Sequence, residues 1–352
     1  MDLRNIEYLP KNPQSYAPNI GLIGCGGISV HHLKAYQSAG YRVTGLCDLN
    51  LGAAQMRAEA YYPNAKIYSD YHDLLRDDSI EVVDITTHPL ERLAIIRAAL
   101  DARKHVLSQK PFVLDLDEGE HLVDLADRQD CYLAVNQNAR WAPHFSYARA
   151  VVERGLLGTI FSAHLGCHWD HTWVAGTAFE KIKHLILYDY AIHWFDIVRC
   201  FLNGKAAKRV FASTARVPGQ TLMPPLLGQA LIEFEEAQST LSFDASVPIG
   251  SKEDTFLAGT HGSLYSTGSG NQQQSLAVTV AEGNWTPKLT GKWFPDGFHG
   301  TMGELLCSIE ERRQCSISAA DNLHSLALCF AAIHSAETGQ SVVPGTVRRM
   351  PS

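Results

Sequence analysis

Three ionisable side chains stand out by type and setting: Lys110, Asp189 and His193. Lys110 ends the run His105-Val106-Leu107-Ser108-Gln109-Lys110-Pro111. Proline cannot donate to a ladder, so a short apolar strand stops here, and the residue before proline is held extended. The cation therefore stands on a stiff stalk at the C-terminal end of a strand. That is the edge where open parallel sheets bind ligands; taken alone, it is an ordinary turn lysine. Asp189 and His193 lie four apart in 187–202, which reads as one helix with Ala191, Trp194, Phe195, Val198 and Leu202 on an apolar face. Asp189, His193 and Asp196 share the opposite line. Tyr190, Ile192 and Ile197 flank that line, so the helix is apolar nearly all round and reads as buried. An imidazole exchanges protons near neutral pH, and a carboxylate one turn away orients it. A satisfied structural pair is the plainer alternative. Asp196 is expected to stand behind the pair, with Arg199 or at a cap.

Stepping outward, Ile20-Gly21-Leu22-Ile23-Gly24-Cys25-Gly26-Gly27-Ile28-Ser29 reads as a strand, a glycine-rich turn and the start of a helix. This is the setting of a dinucleotide fingerprint: Gly24 for the tight turn, Gly26 for close approach of a pyrophosphate at a helix N-terminus. Ser29 at the sixth position makes the match imperfect. A second strand, 41–48, ends in Asp48, close to the spacing of roughly 20 residues at which a carboxylate takes the ribose hydroxyls. A carboxylate there repels the extra phosphate of NADP and favours NAD. Asp48 also reads as a helix N-cap. Helices at 51–61, 71–76, 90–102 and 115–129 alternate with strands at 80–86, 105–108 and 132–135, the pattern of a doubly wound parallel sheet. The alternation stops around Asn136–Pro143. Further on, alternating strands such as 229–234 and 239–243 read as a second sheet. A last helix carries Leu323, Leu326, Ala327, Phe330 and Ile333 at core spacing.

The stretch Ala98–Pro111 resembles the signature of the Gfo/Idh/MocA family (glucose–fructose oxidoreductase, inositol dehydrogenase), with Gln109 where that family usually has Glu. Thr87-His88-Pro89, followed by Arg92, departs from the family's common Thr-Pro-Asn with a later histidine. Asp189-Tyr190-Ala191-Ile192-His193 matches its Asp-xxx-His motif. The resemblance runs nearly end to end. Residues 1–18, with three prolines and little periodicity, read as an arm or irregular lead-in; the resemblance implies an α/β Rossmann domain (19–138) and a C-terminal α+β domain with a large, mostly antiparallel sheet (139–352). It implies that Lys110, Asp189 and His193 are catalytic. The expected cofactor-binding set is Gly24, Gly26, Gly27, Ile28, Asp48, Thr86, Thr87, His88, Gln109 and Lys110. The expected substrate-side set is Lys110, Arg140, Trp141, His168, Trp169, Asp189 and His193, with His299 as a further candidate. The activity implied is NAD-dependent oxidation of a secondary alcohol of a sugar, polyol or cyclitol. The alternatives are an NAD-dependent enzyme on a glycoside with no net redox change, and a non-catalytic sensor of NAD or sugar.

His164, His168 and His171 invite a metal reading. Strand alternation, however, puts the first two on one face and His171 on the other, so no metal is expected and a polar, aromatic lining is favoured. Trp169 and Trp173 would then stack on a sugar ring or simply fill core. A chain of 352 residues calls for two domains. A net charge of −7 argues against a broad nucleic-acid surface. No apolar run reaches membrane-spanning length, and no secretory signal is read at the start. The eight scattered cysteines read as free thiols. The resulting expectations are a cytoplasmic protein with a carbohydrate-like small-molecule substrate, without nucleic-acid or membrane partners. The C-terminal sheet is expected to pair copies into a homodimer or homotetramer.

Overall fold

The computed structural model describes residues 6–269 and 274–351. Two compact units emerge. One is Pro10–Trp141 with Phe294–Leu323; the other is the described part of Met1–Leu9, Ala142–Trp293 and His324–Ser352.

The first unit alternates β1 (Asn19–Ile23), α1 (Ser29–Ala39), β2 (Arg42–Cys47), α2 (Leu51–Tyr61), β3 (Lys66–Tyr68), α3 (Tyr71–Leu75), β4 (Ile80–Ile85), α4 (Pro89–Asp101), β5 (His105–Ser108), α5 (Leu116–Arg128) and β6 (Leu133–Val135). Local chemistry sets the boundaries. Gly40 ends α1 in the left-handed conformation (φ 77°), Asn50 and Asp115 cap α2 and α5, and Pro89 opens α4. Neighbouring strands pair in parallel in the order β3-β2-β1-β4-β5-β6. The order reverses at β1 and β4, and such a reversal opens a crevice beyond their C-terminal ends. Ile20, Leu22, Val82, Val83, Val106 and Leu107 are fully buried, as strands covered on both faces must be. The edge strand β3 has only three residues, too few for its period to show in the sequence.

The second unit begins with α6 (Pro143–Glu153) and β7 (Ile160–His168). A π-helical turn (Ile186–Tyr190) leads into α7 (Ile192–Phe201). Then come β8 (Ala207–Ala215), β9 (Leu227–Phe234), β10 (Ala237–Asp244), β11 (Lys252–Gly259), β12 (Gly262–Gly268), β13 (Gln274–Val280) and β14 (Gly283–Trp285). They form one sheet, β14-β13-β12-β11-β7-β10-β9-β8, antiparallel except where β7 meets β10. In β9 the buried positions Gly228, Ala230, Ile232 and Phe234 alternate with outward ones. Helices α6 and α7 pack on the inner face, against β13 and β7. The outer face carries Leu231, Thr240, His164, Phe256 and Tyr265 side by side across five strands, with Phe256 39% and Tyr265 42% exposed.

Two long helices follow, α8 (Trp293–Glu311) and α9 (Ala319–Thr338). The expected division at residue 138 describes only the outgoing chain, because Phe294–Leu323 returns to the first unit. Phe298, Met302, Leu305 and Leu306 join Leu22, Leu33, Tyr36 and Leu107 in one core, and Val135 N–H donates to Ile317 O at 2.8 Å. The lead-in from Pro10 onward belongs there too. The Glu310 carboxylate on α8 accepts from the N–H groups of Gln14, Ser15 and Tyr16 at 2.7, 2.6 and 2.8 Å. All eight cysteines are free thiols. Among the described residues no helix is long and apolar enough to cross a membrane.

Candidate functional site

In the first unit the crevice is built by loops that follow β1, β2, β4 and β5. Gly24 has φ +100°, a conformation only glycine adopts easily. Its N–H donates to Cys47 O at 2.8 Å, and its carbonyl accepts from the Thr86 hydroxyl. A side chain on Gly24 would crowd Thr86 Oγ1 and Thr87 N, each at 3.0 Å. Gly26 and Gly27 differ: a Cβ on either would meet nothing within 4 Å, and neither has a left-handed φ. Packing and backbone do not demand glycine there. The open space leaves room for a phosphate to approach the backbone at the start of α1. Ile28 lends its backbone to this turn while its side chain packs on the core.

Asp48 closes the cradle. Its Oδ2 accepts from Cys25 N at 2.7 Å and Oδ1 from Asn50 N at 2.7 Å, and each oxygen keeps a lone pair for a hydroxyl. The N-cap expected of Asp48 falls to Asn50, whose side chain accepts from Gly52 N and Ala53 N. Burial, then the Asp48 charge, pushes the Cys25 thiol up to about 12, so it adds no anion beside a phosphate. Ser29 at the imperfect sixth position donates to Gly26 O at 2.6 Å. Arg57 from α2 braces the same turn, through Ser29 Oγ at 3.1 Å and Gly26 O at 3.2 Å. The cradle thus fits a dinucleotide.

Across the crevice Thr86 is tied to β1, Thr87 bears a buried hydroxyl, and His88 stands at the N-cap of α4. Gln109 holds the turn after β5: its N–H donates to Ile85 O at 2.9 Å and its side-chain oxygen accepts from Lys110 N at 2.8 Å. Its amide nitrogen faces His32 Nε2 at 3.5 Å, which the Asn136 amide also approaches at 3.1 Å. Asp84 sets the orientation of His32 by accepting from Nδ1 at 2.7 Å and from Tyr36 OH at 2.6 Å. This buried polar chain under the crevice was missed by the sequence reading. Its one signal is Asp84, a charge set between the apolar Val83 and Ile85 of β4.

Arg140 and Trp141 both contact the returning segment. Arg140 is buried, bonding Ser316 O at 2.5 Å and Asp321 Oδ2 at 2.6 Å. Trp141 lies flat on Gly300, where a Cβ would approach its ring to 2.0 Å. Both brace the returning segment. His299 bonds Asn12 Oδ1 at 2.7 Å beside the Tyr41 ring.

In the second unit the helix read over 187–202 is two pieces. The π-helical turn ends where Ala191 N–H reaches back to Ile186 O at 3.0 Å, and α7 starts at Ile192. Asp189 sits half-buried in the π turn and His193 is buried in the first turn of α7. Asp196 is fully buried, accepting from Ser325 Oγ at 2.8 Å, and Arg199 donates to that same hydroxyl at 3.0 Å. Around His193 the walls are aromatic. Trp293 lies edge-on at 5.5 Å, and Trp169, Trp194 and Trp293 meet one another edge to face at 5.8–5.9 Å. Tyr190 stacks on Trp194 at 5.2 Å and its hydroxyl meets Cys167 Sγ at 2.9 Å; burial holds that phenol well above its ordinary range.

His168 does not join this group. Period-2 alternation keeps it on the outer face with His164, paired to Asp244 at 2.6 Å, while Trp169 turns inward. His164 bonds Thr240 and Ser162 instead, at 2.6 and 2.7 Å, and His171 accepts from the Trp173 indole at 3.1 Å. Trp173 is exposed.

A glycine cradle closed by a carboxylate, at the reversal of a six-stranded parallel sheet, defines an oxidoreductase-type dinucleotide-binding scaffold carrying a second, sheet-rich domain. Residues 18–137 match the oxidoreductase family's NAD-binding Rossmann fold, and residues 145–265 match the GFO/IDH/MocA C-terminal domain. The chain belongs to the Gfo/Idh/MocA family. It is 25% identical over 343 residues to D-apiose dehydrogenase of Rhizobium rhizogenes, spanning 93% of this chain and 97% of that one. It is 28% identical over 186 residues to inositol 2-dehydrogenase of Salmonella typhimurium, covering 52% of this chain and 54% of the enzyme, so the chain spans about half the length of that relative. An Agrobacterium radiobacter oxidoreductase solved with NAD+, L-tartaric acid and magnesium shares the fold (TM-score 0.84, 24% identity, 94% of this chain and 99% of that one).

Proposed function

We propose that the protein is an NAD-dependent dehydrogenase oxidising a secondary alcohol of a sugar, polyol or cyclitol. One observation carries the reading. The adjacent strands β2, β1, β4 and β5 bring Asp48, the glycine turn, Thr87 and Lys110 to one sheet edge. Gly26 and Gly27 would admit the pyrophosphate, and Asp48 would take the ribose hydroxyls and disfavour the extra phosphate of NADP. NAD, when bound, supplies the hydride acceptor. Lys110 donates a hydrogen bond to the substrate hydroxyl and stabilises developing alkoxide charge. His193 takes the hydroxyl proton, and Asp189 orients that base. The names of the inositol and D-apiose relatives support the substrate class. The outward row of Leu231, Phe256 and Tyr265 supports pairing of copies through the second sheet.

The test is growth of reduced-nicotinamide absorbance with NAD against a panel of sugars, polyols and inositols. Lys110→Ala and His193→Ala should each abolish turnover while NAD still binds. Substantial turnover in both would sink the assignment. Bound NAD with no net reduction across the panel would favour an internal oxidation and re-reduction.

A further inference from the structure

Arg92 stands in the first turn of α4 and is 1% exposed. Its Nη1 donates to Gln109 O at 2.5 Å and also to Pro111 O, and its Nη2 donates to Thr87 O. The position is doubly unfavourable for a cation. Burial strips its hydration, and the first turn of a helix carries the positive end of the dipole. The rest of that helix face is apolar, with Ile95, Ile96, Ala99 and Leu100 all buried. The guanidinium therefore has its value in the carbonyls it holds. Two of them belong to the residues on either side of Lys110, and the third belongs to the loop that carries His88. A planar guanidinium has fixed donor directions, so one acceptor cannot shift without weakening charge-assisted bonds to the others.

We propose that Arg92 is the positioning residue for Lys110. It pins the backbone on both sides of the lysine, and with it the point from which the ammonium reaches. It keeps the Thr87–His88 loop in register with that point. Gln109 adds to the same support from its side chain, through Lys110 N at 2.8 Å. The inference rests on the reading of Lys110 as a catalytic group, yet a fixed Lys110 is measurable without turnover.

The experiment pairs kinetics with 13C-dimethyl-lysine NMR on the full chain, the Lys110 signal being assigned with Lys110→Arg. In Arg92→Gln the Lys110 signal should move toward those of solvent-exposed lysines. The kcat should fall about 100-fold, as a displacement of about 1 Å can produce, with the KM for NAD changing less than about threefold. Arg92→Lys should recover part of both, since an ammonium still donates to carbonyls. A folded Arg92→Gln with lowered melting temperature, unchanged kcat and an unmoved Lys110 signal overturns the proposal and leaves the dehydrogenase reading intact. A wild type inactive on every alcohol, whose Lys110 signal nevertheless moves in Arg92→Gln, sinks the dehydrogenase reading and keeps the positioning. If Arg92→Gln does not fold, Arg92→Lys decides: a displaced Lys110 signal supports the proposal and an unmoved one overturns it.

Discussion

Around Lys110 the polar side chains bond main chain: Asp48 to Cys25 and Asn50, Thr86 to Gly24, Arg92 to Thr87, Gln109 and Pro111. Around His193 the neighbours are rings, contributed by the end of β7, the π turn, α7 and the start of α8. The first arrangement fixes loops by directional bonds to backbone groups. The second packs rings around a buried histidine, with edge-to-face contacts each worth about 0.5–1.5 kcal/mol beyond burial. The two should therefore fail differently: a cradle change alters what binds before it alters stability, and a ring removed from the wall alters stability at once.

The largest expected effect is in the ring cluster. Trp194→Ala removes a fully buried indole touching the rings of Trp169, Tyr190, His193, Phe243 and Trp293 and should cost about 3–5 kcal/mol in a denaturant melt. Trp194→Phe should recover much of it. A loss below about 1 kcal/mol would mean that the wall yields, and the contrast with the cradle would disappear. Next comes Gly26→Val. Open space beyond its Cβ predicts a stability change within about 0.5 kcal/mol, together with a loss of NAD affinity of about tenfold or more, read by nucleotide fluorescence. Tight NAD binding by the folded variant would remove the phosphate from this turn. The smallest effect concerns Glu310, whose pKa the N–H groups of Gln14, Ser15 and Tyr16 and the Ser15 hydroxyl lower from 4.5 to about 2. Because its folded pKa is depressed, its contribution is present above pH 4.5 and fades as pH falls toward 2. Glu310→Gln should flatten the melting temperature in that window and leave activity alone. An unchanged profile would show that the lead-in segment is held by other means.

The same contrast explains what could be read in advance. The glycine turn and Lys110-Pro111 are legible because Gly frees and Pro limits its own backbone, and Asp48 because it falls at a set spacing after the glycine turn. The ring wall has no such spacing: Trp169, the Tyr190–Trp194 pair and Trp293 come from three segments far apart in the chain. Arg140 and Trp141 stand beside a crossover in sequence, and only the fold shows that Ser316, Asp321 and Gly300 pack against them. Placing Asp189 and His193 one turn apart on one line requires a continuous α-helix through both. A π turn changes the residues per turn and leaves no local mark in composition.

Chain order and local chemistry alone thus determined the doubly wound sheet, its cofactor turn, the lysine at a strand end and the mixed second domain. Each follows from periodicity or from the conformational limits of Gly and Pro. Tertiary structure alone decided that Phe294–Leu323 completes the first core, that His168 takes the outer face and Trp169 the ring wall, and that Arg92 meets the carbonyls beside Lys110. An amphipathic helix shows that it has a buried face but not which core receives it. A buried arginine gains its meaning from acceptors that only the β1-β4-β5 order and the packing of α4 bring within reach.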